Sequence, residues 1–296
     1  MLQTTVNRCT SIPGARKPIV VGSEKHSHLI EEQVGNQVTV IAEPHPRNTA
    51  PAIALAAFEI YFSDPSSVLL VLPADHVIQN DSNFRQCVRL AVEYASNNHL
   101  VTFGIIPTKP ETGYGYIKLG EELPNAHRVD TFVEKPNKET AIEFLNSGNY
   151  VWNSGMFAFK ASKYLSELKK YRPDICDVVE EYFYSKNPDT FEHCPSESID
   201  YAVMQKSEDV VVIPSDIGWS DVGSWDSVWE LSTKDNNGNT PTDAYLESVT
   251  NSYVNVVSDV AIIGLDNVAV IEVDGKLLVM NMDYAQATKN AAKKYC

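Results

Sequence analysis

Two acidic residues, Asp75 and Asp221, lie in loops where a carboxylate can have a functional role. Asp75 follows the apolar run 68–72, whose continuous hydrophobicity is typical of a buried parallel strand. Ligands of α/β sheets bind beyond the carboxyl ends of such strands. Asp221 lies in a loop with the sequence Trp-Ser-Asp-Val-Gly-Ser-Trp, ahead of a helical pattern at about 225–233.

Each acid also has a purely structural explanation. Asp75 is equally well placed to be a turn residue that caps the next helix, and position alone does not separate the two interpretations. Ser224 is a good N-cap for the helix after it, so Asp221 can be a simple loop acid.

A second group of residues occupies turns and strand ends where polar side chains and glycines can contact a ligand. Ordinary local structure explains each of them taken singly, as helix caps, turns or strand ends. The group consists of Arg47, Asn48, Thr49, Gly115, Tyr116, Glu134, Lys135 and Asn153.

These residues belong to six short motifs whose order and spacing together are specific. In this order the chain resembles the sugar-1-phosphate nucleotidylyltransferases, and specifically the mannose-1-phosphate guanylyltransferases. The motifs are Arg-Asn-Thr-Ala-Pro (47–51), Leu-Pro-Ala-Asp-His (72–76), Gly-Tyr-Gly-Tyr (113–116), Val-Glu-Lys-Pro (133–136), Trp-Asn-Ser-Gly-Met (152–156) and the loop at 219–225.

The resemblance implies a reaction and its catalytic residues. Mannose 1-phosphate and GTP would give GDP-mannose and pyrophosphate, through attack of a sugar phosphate oxygen on the α-phosphorus. Asp75 and Asp221 would bind the cofactor Mg²⁺, and Lys135 would add positive charge at the phosphates. The nucleophile is already anionic, so catalysis rests on positioning and charge stabilisation.

The resemblance also assigns contacts with the two substrates. Arg47, Asn48 and Thr49 would lie against the base and ribose. The backbone near Gly115 and Tyr116 would approach the sugar and nucleotide. Glu134 and Asn153 would bind sugar hydroxyls, since an amide both donates and accepts hydrogen bonds.

One family motif is not found. The family opens with a strand and a glycine-rich loop that carries an Arg and a Lys for the triphosphate. This sequence contains no Gly-x-Gly followed by Ser or Thr and then Arg, and the segment 11–17 has the wrong spacing. The strands at 18–21 and 68–72 would then flank a missing central strand. We expect the chain as given to be severely impaired or inactive, because loss of phosphate-stabilising groups costs powers of ten in rate.

Two other classes of function stay open. The chain can be a catalytically inactive paralogue or regulatory subunit that retains a sugar-phosphate and nucleotide pocket. It can also be a nucleotidylyltransferase for another nucleotide or hexose 1-phosphate. Retention of both Asp75 and Asp221 favours the enzyme, and the motif at 47–51 favours the guanylyl branch. No His-rich metal pattern of the isomerase domain in longer relatives is present.

Apolar runs alternate with helical patterns as in a Rossmann-like, doubly wound, mostly parallel α/β sheet. We predict strands at 18–21, 38–41, 68–72 and 100–105, with helices at about 26–34, 50–62 and 83–97 between them. Strands at 116–119 and 128–133 and helices at about 138–146, 161–171 and 174–184 follow. The polar segment 234–241 suggests a boundary, with a nucleotidyltransferase domain over 1–235 and a small β module over 236–296 that ends in a helix.

Composition excludes several classes. A formal net charge of −15 over 296 residues disfavours nucleic acid binding. Five scattered cysteines without a Cys-x-x-Cys pair argue against a zinc site or disulfide framework and fit a reducing compartment. No apolar run approaches the roughly 18 residues of a membrane span, and no signal pattern opens the chain. We expect a cytoplasmic protein, and the β module suggests a homodimer contact.

Overall fold

The computed structural model describes residues 1–295, apart from the side chains of 289 and 295. Cys296 is therefore outside the described residues. The chain divides into two compact units, Met1–Trp219 and a second unit that begins at Ser220. The predicted boundary between 235 and 236 lies inside the second unit, and the assignment of functions to the two domains stays a prediction.

The helices of the first unit follow the predicted pattern, with one addition at the N-terminus and one near 190. They are α1 (Leu2–Thr10), α2 (Ser27–Val34), α3 (Thr49–Ser63), α4 (Asp81–Ser96), α5 (Lys138–Ser147), α6 (Ala161–Tyr171), α7 (Pro173–Ser185) and α8 (Pro188–Glu192). A π-helical turn over Asp200–Met204 comes after α8.

Ten strands alternate with these helices, and three of them carry the site described below. The strands are β1 (Ile19–Ser23), β2 (Thr39–Glu43), β3 (Val68–Val71), β4 (Val77–Ile78), β5 (Leu100–Ile105), β6 (Gly115–Leu123), β7 (Ala126–Glu134), β8 (Tyr150–Lys160), β9 (Val210–Ser215) and β10 (Trp219–Ser220).

The central sheet has six strands in the order β3–β8–β5–β9–β7–β6. Strands β5 and β9 are parallel, whereas β8 runs antiparallel to both β3 and β5. The α/β class is confirmed, but the sheet is mixed rather than mostly parallel, because β8 is antiparallel to β3 and β5, and β7 is antiparallel to β9. Strands β3, β5 and β9 still share one direction, so their carboxyl ends meet at one edge.

Helices cover both faces of this sheet, which explains why its central strands are continuously apolar. Alternate residues of one strand enter different cores: Leu100 packs with the cluster of α3, α6 and α7, and Val101 with the cluster of α4. All six residues of β5 are buried. This packing fixes the central strands between the two helical layers.

The strands predicted at 18–21 and 68–72 belong to two different sheets. Strand β1 pairs with β2 in a separate parallel sheet of two strands, in the register Ile19 to Thr39. Strand β3 is an edge of the six-stranded sheet. Among residues 1–295, no strand joins β1 to β3.

The described part of the second unit contains short strands, two α-helices and a 3₁₀ helix over Met282–Ala287. The strands and α-helices are α9 (Trp225–Leu231), β11 (Tyr245–Glu247), β12 (Tyr253–Asn255), β13 (Ala261–Ile263), β14 (Val268–Val273), β15 (Lys276–Asn281) and α10 (Thr288–Tyr295). The parallel pairs β11–β13 and β12–β14 both join residues 16 positions apart, as does the bridge from Thr250 to Asp266. This constant offset is typical of one coil of a β-helix.

Candidate active site

The interior strand β8 has a bulge beside Asn153, which pairs with Gly104 near the carboxyl end of β5. Between the pairs Thr102–Phe157 and Gly104–Asn153, the chain advances two residues on β5 and four on β8. Gly155 lies in the bulge with a φ of +67°, which favours glycine. Bulges re-aim side chains beside functional sites, and this one begins directly after Asn153, which keeps its pairing with Gly104.

The hairpin of β6 and β7 brings Glu134 to the same place. Gly115 and Glu134 are paired across the two strands. A Cβ on Gly115 would lie 2.5 Å from Oε2 of Glu134 and 3.5 Å from Cβ of Asn153. The absence of a side chain at Gly115 therefore leaves the space that the Glu134 carboxylate occupies beside Asn153.

Lys135 and Tyr116 are adjacent to Glu134 and Gly115 in sequence, but the Lys135 side chain is exposed whereas that of Tyr116 is buried. The Lys135 ammonium lies 3.3 Å from Oε1 of Glu134, and its side chain is 64% exposed, so it is accessible to a phosphate. Tyr116 is fully buried and its hydroxyl donates to the Glu111 carbonyl at 2.9 Å. The Tyr116 side chain thus belongs to the core, and a substrate contact at this position would involve only its backbone.

Asp200 is part of the same cluster and was not found from the sequence. It accepts a hydrogen bond from Nδ2 of Asn153 at 2.7 Å. Burial raises the pKa of Asp200, and the nearby Glu134 carboxylate raises it further. An acid inside an otherwise apolar segment, Ile-Asp-Tyr-Ala-Val-Met over 199–204, was the signal available in the sequence. Gly115, Glu134, Asn153 and Asp200 therefore form one group.

The motif at 47–51 begins helix α3 and contacts the segment that carries Asp200. Asn48 caps the helix, with its side chain accepting from the Thr49 N–H at 2.8 Å. Oγ1 of Thr49 accepts from the backbone N–H of Ile199 at 2.9 Å, and the Ala50 N–H donates to the Glu197 carbonyl. Capping therefore accounts for Asn48, while Thr49 joins this motif to the residues beside Asn153.

Two buried polar atoms near this motif have unmet hydrogen-bonding capacity. Glu43 ends β2, is 7% exposed, and its Oε1 has no hydrogen-bond partner among the described residues. Burial raises the pKa of Glu43 to about 7. Nε of Arg47 is likewise buried without a partner, while another guanidinium nitrogen donates to the Glu192 carbonyl. Buried polar groups are normally satisfied, so a polar ligand is a natural complement here.

Asp75 lies in an exposed turn beyond β3, at the carboxyl end of that strand. Its side chain is 79% exposed, and Oδ1 lies 4.0 Å from Nε2 of His76. Nδ1 of His76 accepts from the indole N–H of Trp219 at 3.1 Å. His76 is thus the neighbour that links Asp75 to Trp219.

Four aromatic rings from four different motifs form a continuous row. His76 contacts Trp219 edge to face at 5.3 Å between ring centroids. Tyr114 contacts both Trp219 and Trp152 at 5.2 Å. This aromatic row connects the Asp75 turn with β6 and β8, because edge-to-face contacts of this geometry are favourable.

Asp221 lies in the second unit, within a tightly organised turn. Oδ1 of Asp221 accepts from the Gly223 N–H at 3.0 Å, and a Cβ on Gly223 would lie 2.7 Å from Oδ2. Val222 has a φ of +50°, a conformation that is strained for a β-branched residue. Strain of this kind is often found at functional sites.

The donor set fits the metal that the sequence suggested. Carboxylate oxygens such as those of Asp75 and Asp221 are the ligands that Mg²⁺ prefers, and Mg²⁺ usually keeps several waters in addition. Among residues 1–295, no group of three or more His, Cys, Asp or Glu side chains forms a ready-made metal cluster. A site of one or two carboxylates that is completed by phosphates and water is compatible with both observations.

The chain belongs to the nucleotidyl transferase family, whose model matches residues 1–238. It is 45% identical to a mannose-1-phosphate guanylyltransferase of Klebsiella pneumoniae over 99% of its own length. The chain spans 66% of the length of that relative.

Solved structures show the same fold. A Thermus thermophilus protein described as a mannose-1-phosphate geranyltransferase superposes with a TM-score of 0.90 at 28% identity, over 99% of this chain and 88% of the other. A Helicobacter pylori protein described as a mannose-6-phosphate isomerase superposes with a TM-score of 0.67 at 32% identity, over 74% of this chain and 89% of the other. No helix among the described residues has the length and apolarity that crossing a membrane requires.

Proposed function

We propose that this protein transfers GMP from GTP to mannose 1-phosphate, with GDP-mannose and pyrophosphate as products. The observation that carries the proposal is the placement of the Glu134 carboxylate and the Asn153 amide beside the bare backbone of Gly115. This group offers an acceptor and a donor to neighbouring sugar hydroxyls. It occurs in a chain that is 45% identical to a relative named for this reaction.

Each residue of the site has a defined task in this proposal. Glu134 and Asn153 bind sugar hydroxyls and fix the direction of the sugar phosphate. The exposed ammonium of Lys135 meets the phosphate. Arg47 and Thr49 lie at the nucleotide. A phosphate oxygen of the sugar forms the new bond to the α-phosphorus while the bond to pyrophosphate breaks, and no general base is needed because the nucleophile is anionic.

A divalent metal fits this family, and we propose Mg²⁺ held by Asp75 and Asp221. When bound, it would neutralise negative charge on the reacting phosphates. The exposure of Asp75 beyond β3 supports this role, since a ligand that meets phosphates must be accessible.

Glu43 favours a guanine nucleotide over a pyrimidine nucleotide. Guanine presents two adjacent N–H donors, at N1 and N2, and the Glu43 carboxyl would accept from both when it ionises on nucleotide binding. A buried Glu43 oxygen without a partner matches that edge. Other nucleotides and hexose 1-phosphates are the second candidate, and GTP, UTP and dTTP should therefore be compared in one assay.

The proposed partners are GTP and mannose 1-phosphate, with no nucleic acid and no membrane, in the cytoplasm. The net charge of −15 supports the exclusion of nucleic acid. A homodimer through the second unit is part of the same proposal.

The test is pyrophosphate release from GTP and mannose 1-phosphate with Mg²⁺. It is run on the chain alone and on the chain extended by the strand and glycine-rich loop that the family resemblance implies. Asp221→Ala should abolish release, while Asp243→Ala, a change at an exposed acid of the same unit, should not. Release by the chain alone would show that the loop is dispensable. No release from either form would leave the inactive paralogue as the better description.

A further inference from the structure

The surroundings of Asp200 differ from those of Asp209, another acid of the first unit. Asp200 opens the π-helical turn Asp200–Met204 and is partly buried. The Glu134 carboxylate lies near it, and burial together with repulsion between the two negative charges raises the pKa of Asp200. Asp209, by comparison, lies within 3.1 Å of Arg128, Lys163 and His99. A carboxyl that is buried beside another acid is costly, and such costs concentrate at functional sites.

The hydrogen bonds of the Asn153 side chain indicate that Asp200 orients its amide group. Oδ1 of Asn153 accepts from the Gly155 N–H at 3.3 Å and from Oγ1 of Thr102 at 3.4 Å. Nδ2 donates one of its two hydrogens to Asp200 at 2.7 Å. An ionised carboxylate accepts only, so the amide has a single satisfactory orientation. The second Nδ2 hydrogen then remains for a group outside this network.

Hydrogen bonds to the start of helix α3 fix the backbone segment that precedes Asp200. Its neighbour Ile199 donates to Oγ1 of Thr49, and Glu197 accepts from the Ala50 N–H. The segment 197–200 is thus held by the start of helix α3, so the carboxylate has a defined position toward Asn153. A π-helical turn, often found at functional sites, begins at this point.

We propose that Asp200 is a positioning residue for the hexose of the sugar 1-phosphate. Its carboxylate holds the Asn153 amide so that the free N–H of Asn153 and the Glu134 carboxylate present a donor and an acceptor to neighbouring hydroxyls. Asp200 itself does not contact the sugar. This inference rests on the proposed function in that it takes the ligand of this site to be a hexose 1-phosphate.

Binding of the two substrates separately tests this role. Titration calorimetry measures mannose 1-phosphate binding in the presence of α,β-methylene-GTP, which cannot transfer GMP, and binding of the nucleotide analogue alone. Asp200→Ala should weaken sugar phosphate binding about tenfold or more, which corresponds to a hydrogen bond involving a charged group. Nucleotide binding should stay within about twofold. Asp200→Asn retains an acceptor oxygen and should lose less.

A matched control separates positioning from stability. Asp209→Asn removes a carboxylate whose partners are the cations Arg128, Lys163 and His99 rather than Asn153. It should lower the melting temperature and leave both affinities unchanged. In Asn153→Ala protein, the Asp200→Ala change should have little further effect on sugar binding, because the group that Asp200 positions is gone.

The outcomes distinguish this inference from the proposed function. Equal losses of nucleotide and sugar affinity in Asp200→Ala, or an unchanged sugar affinity, overturn the positioning role. If the wild-type protein does not bind mannose 1-phosphate but binds another hexose 1-phosphate, the result contradicts the proposed function. The variants then decide the role of Asp200 with that sugar. Failure of the wild type to bind mannose, glucose or galactose 1-phosphate overturns the inference itself.

Discussion

The indole N–H of Trp219 donates a hydrogen bond to Nδ1 of His76 over 3.1 Å. Because Nδ1 accepts, the proton of the neutral imidazole is on Nε2, the nitrogen that lies 4.0 Å from the Asp75 carboxylate. Two motifs that are more than 140 residues apart in sequence are thereby joined beside a proposed metal ligand. The hydrogen bond from Trp219 therefore fixes the orientation of the His76 ring.

Trp219→Phe should release this orientation. Phenylalanine keeps the ring contact with Tyr114 but removes the donor to His76. We expect a loss of about 1 kcal/mol in the free energy of unfolding, the usual contribution of one hydrogen bond. Nitrogen NMR of the wild type should show His76 protonated at Nε2, and the variant should show a mixture of tautomers. Trp225→Phe in the second unit is the control, and a wild-type proton on Nδ1 would contradict the arrangement.

Gly115→Ala should displace the Glu134 carboxylate. The added Cβ would lie 2.5 Å from Oε2, which is the far end of a flexible side chain and can move. The fold should therefore tolerate the change at small cost, while the affinity for mannose 1-phosphate falls about tenfold or more. Calorimetric titration together with urea unfolding measures both quantities.

Gly120→Ala on the same strand provides the contrast. Its Cβ would meet the backbone carbonyl of Arg128 at 3.1 Å, which cannot move away as a side chain can. This variant should lose stability and retain sugar affinity. If the two variants behave alike, the position of Glu134 is not what Gly115 controls.

The sequence predicted most helices and strands, because their periodicity and caps are local properties. The prediction of helix α3 at 50–62 compares with Thr49–Ser63, and that of β5 matches Leu100–Ile105. Strands β8 and β9 were not predicted, although both are central in the sheet. The bulge of β8 contains Asn-Ser-Gly, a turn-like sequence that interrupts the alternation of a strand.

In the candidate site, too, the residues in local motifs were predicted, whereas those that depend on long-range contacts were not. Motif spacing indicated Glu134 and Asn153, which the structure brings to the same place. Asp200 and Glu43 were missed because their importance comes from burial and from partners distant in sequence. Asp200 is 47 residues from Asn153 along the chain, and no local pattern encodes that pairing. The metal roles of Asp75 and Asp221 stay predictions.

Glu43 should make stability fall as pH rises. Burial raises its folded pKa from 4.5 to about 7, so between these values the unfolded chain is ionised while the native residue keeps its proton. The native state then binds more protons, and the free energy of unfolding decreases with pH until about pH 7 and is constant above it. Glu43→Gln should remove this dependence of the unfolding free energy on pH. Relative to the wild type, the variant should gain up to about 3 kcal/mol of stability between low pH and pH values above 7.

Urea unfolding of wild type and Glu43→Gln from pH 4.5 to 8 measures this difference. Glu59→Gln, at an exposed position of helix α3, accounts for the general effect of removing a negative charge. Parallel stability curves for wild type and Glu43→Gln would show that Glu43 is ionised in the native state throughout this range. Saturating GTP should change the slope if the nucleotide supplies donors to this carboxylate.

The backbone conformation of Val222 should lower the free energy of unfolding while it maintains the geometry of the Asp221 turn. Its φ of +50° costs a β-branched residue about 1–2 kcal/mol, whereas asparagine tolerates this conformation. Val222→Asn should therefore raise the free energy of unfolding by about 1 kcal/mol in urea titrations. If the strain serves the orientation of Asp221, the same variant should bind Mn²⁺, used as a paramagnetic substitute for Mg²⁺, more weakly in the presence of GTP. A more stable variant with unchanged Mn²⁺ affinity would separate the strain from the metal, and a less stable variant would show that the valine side chain is needed for packing.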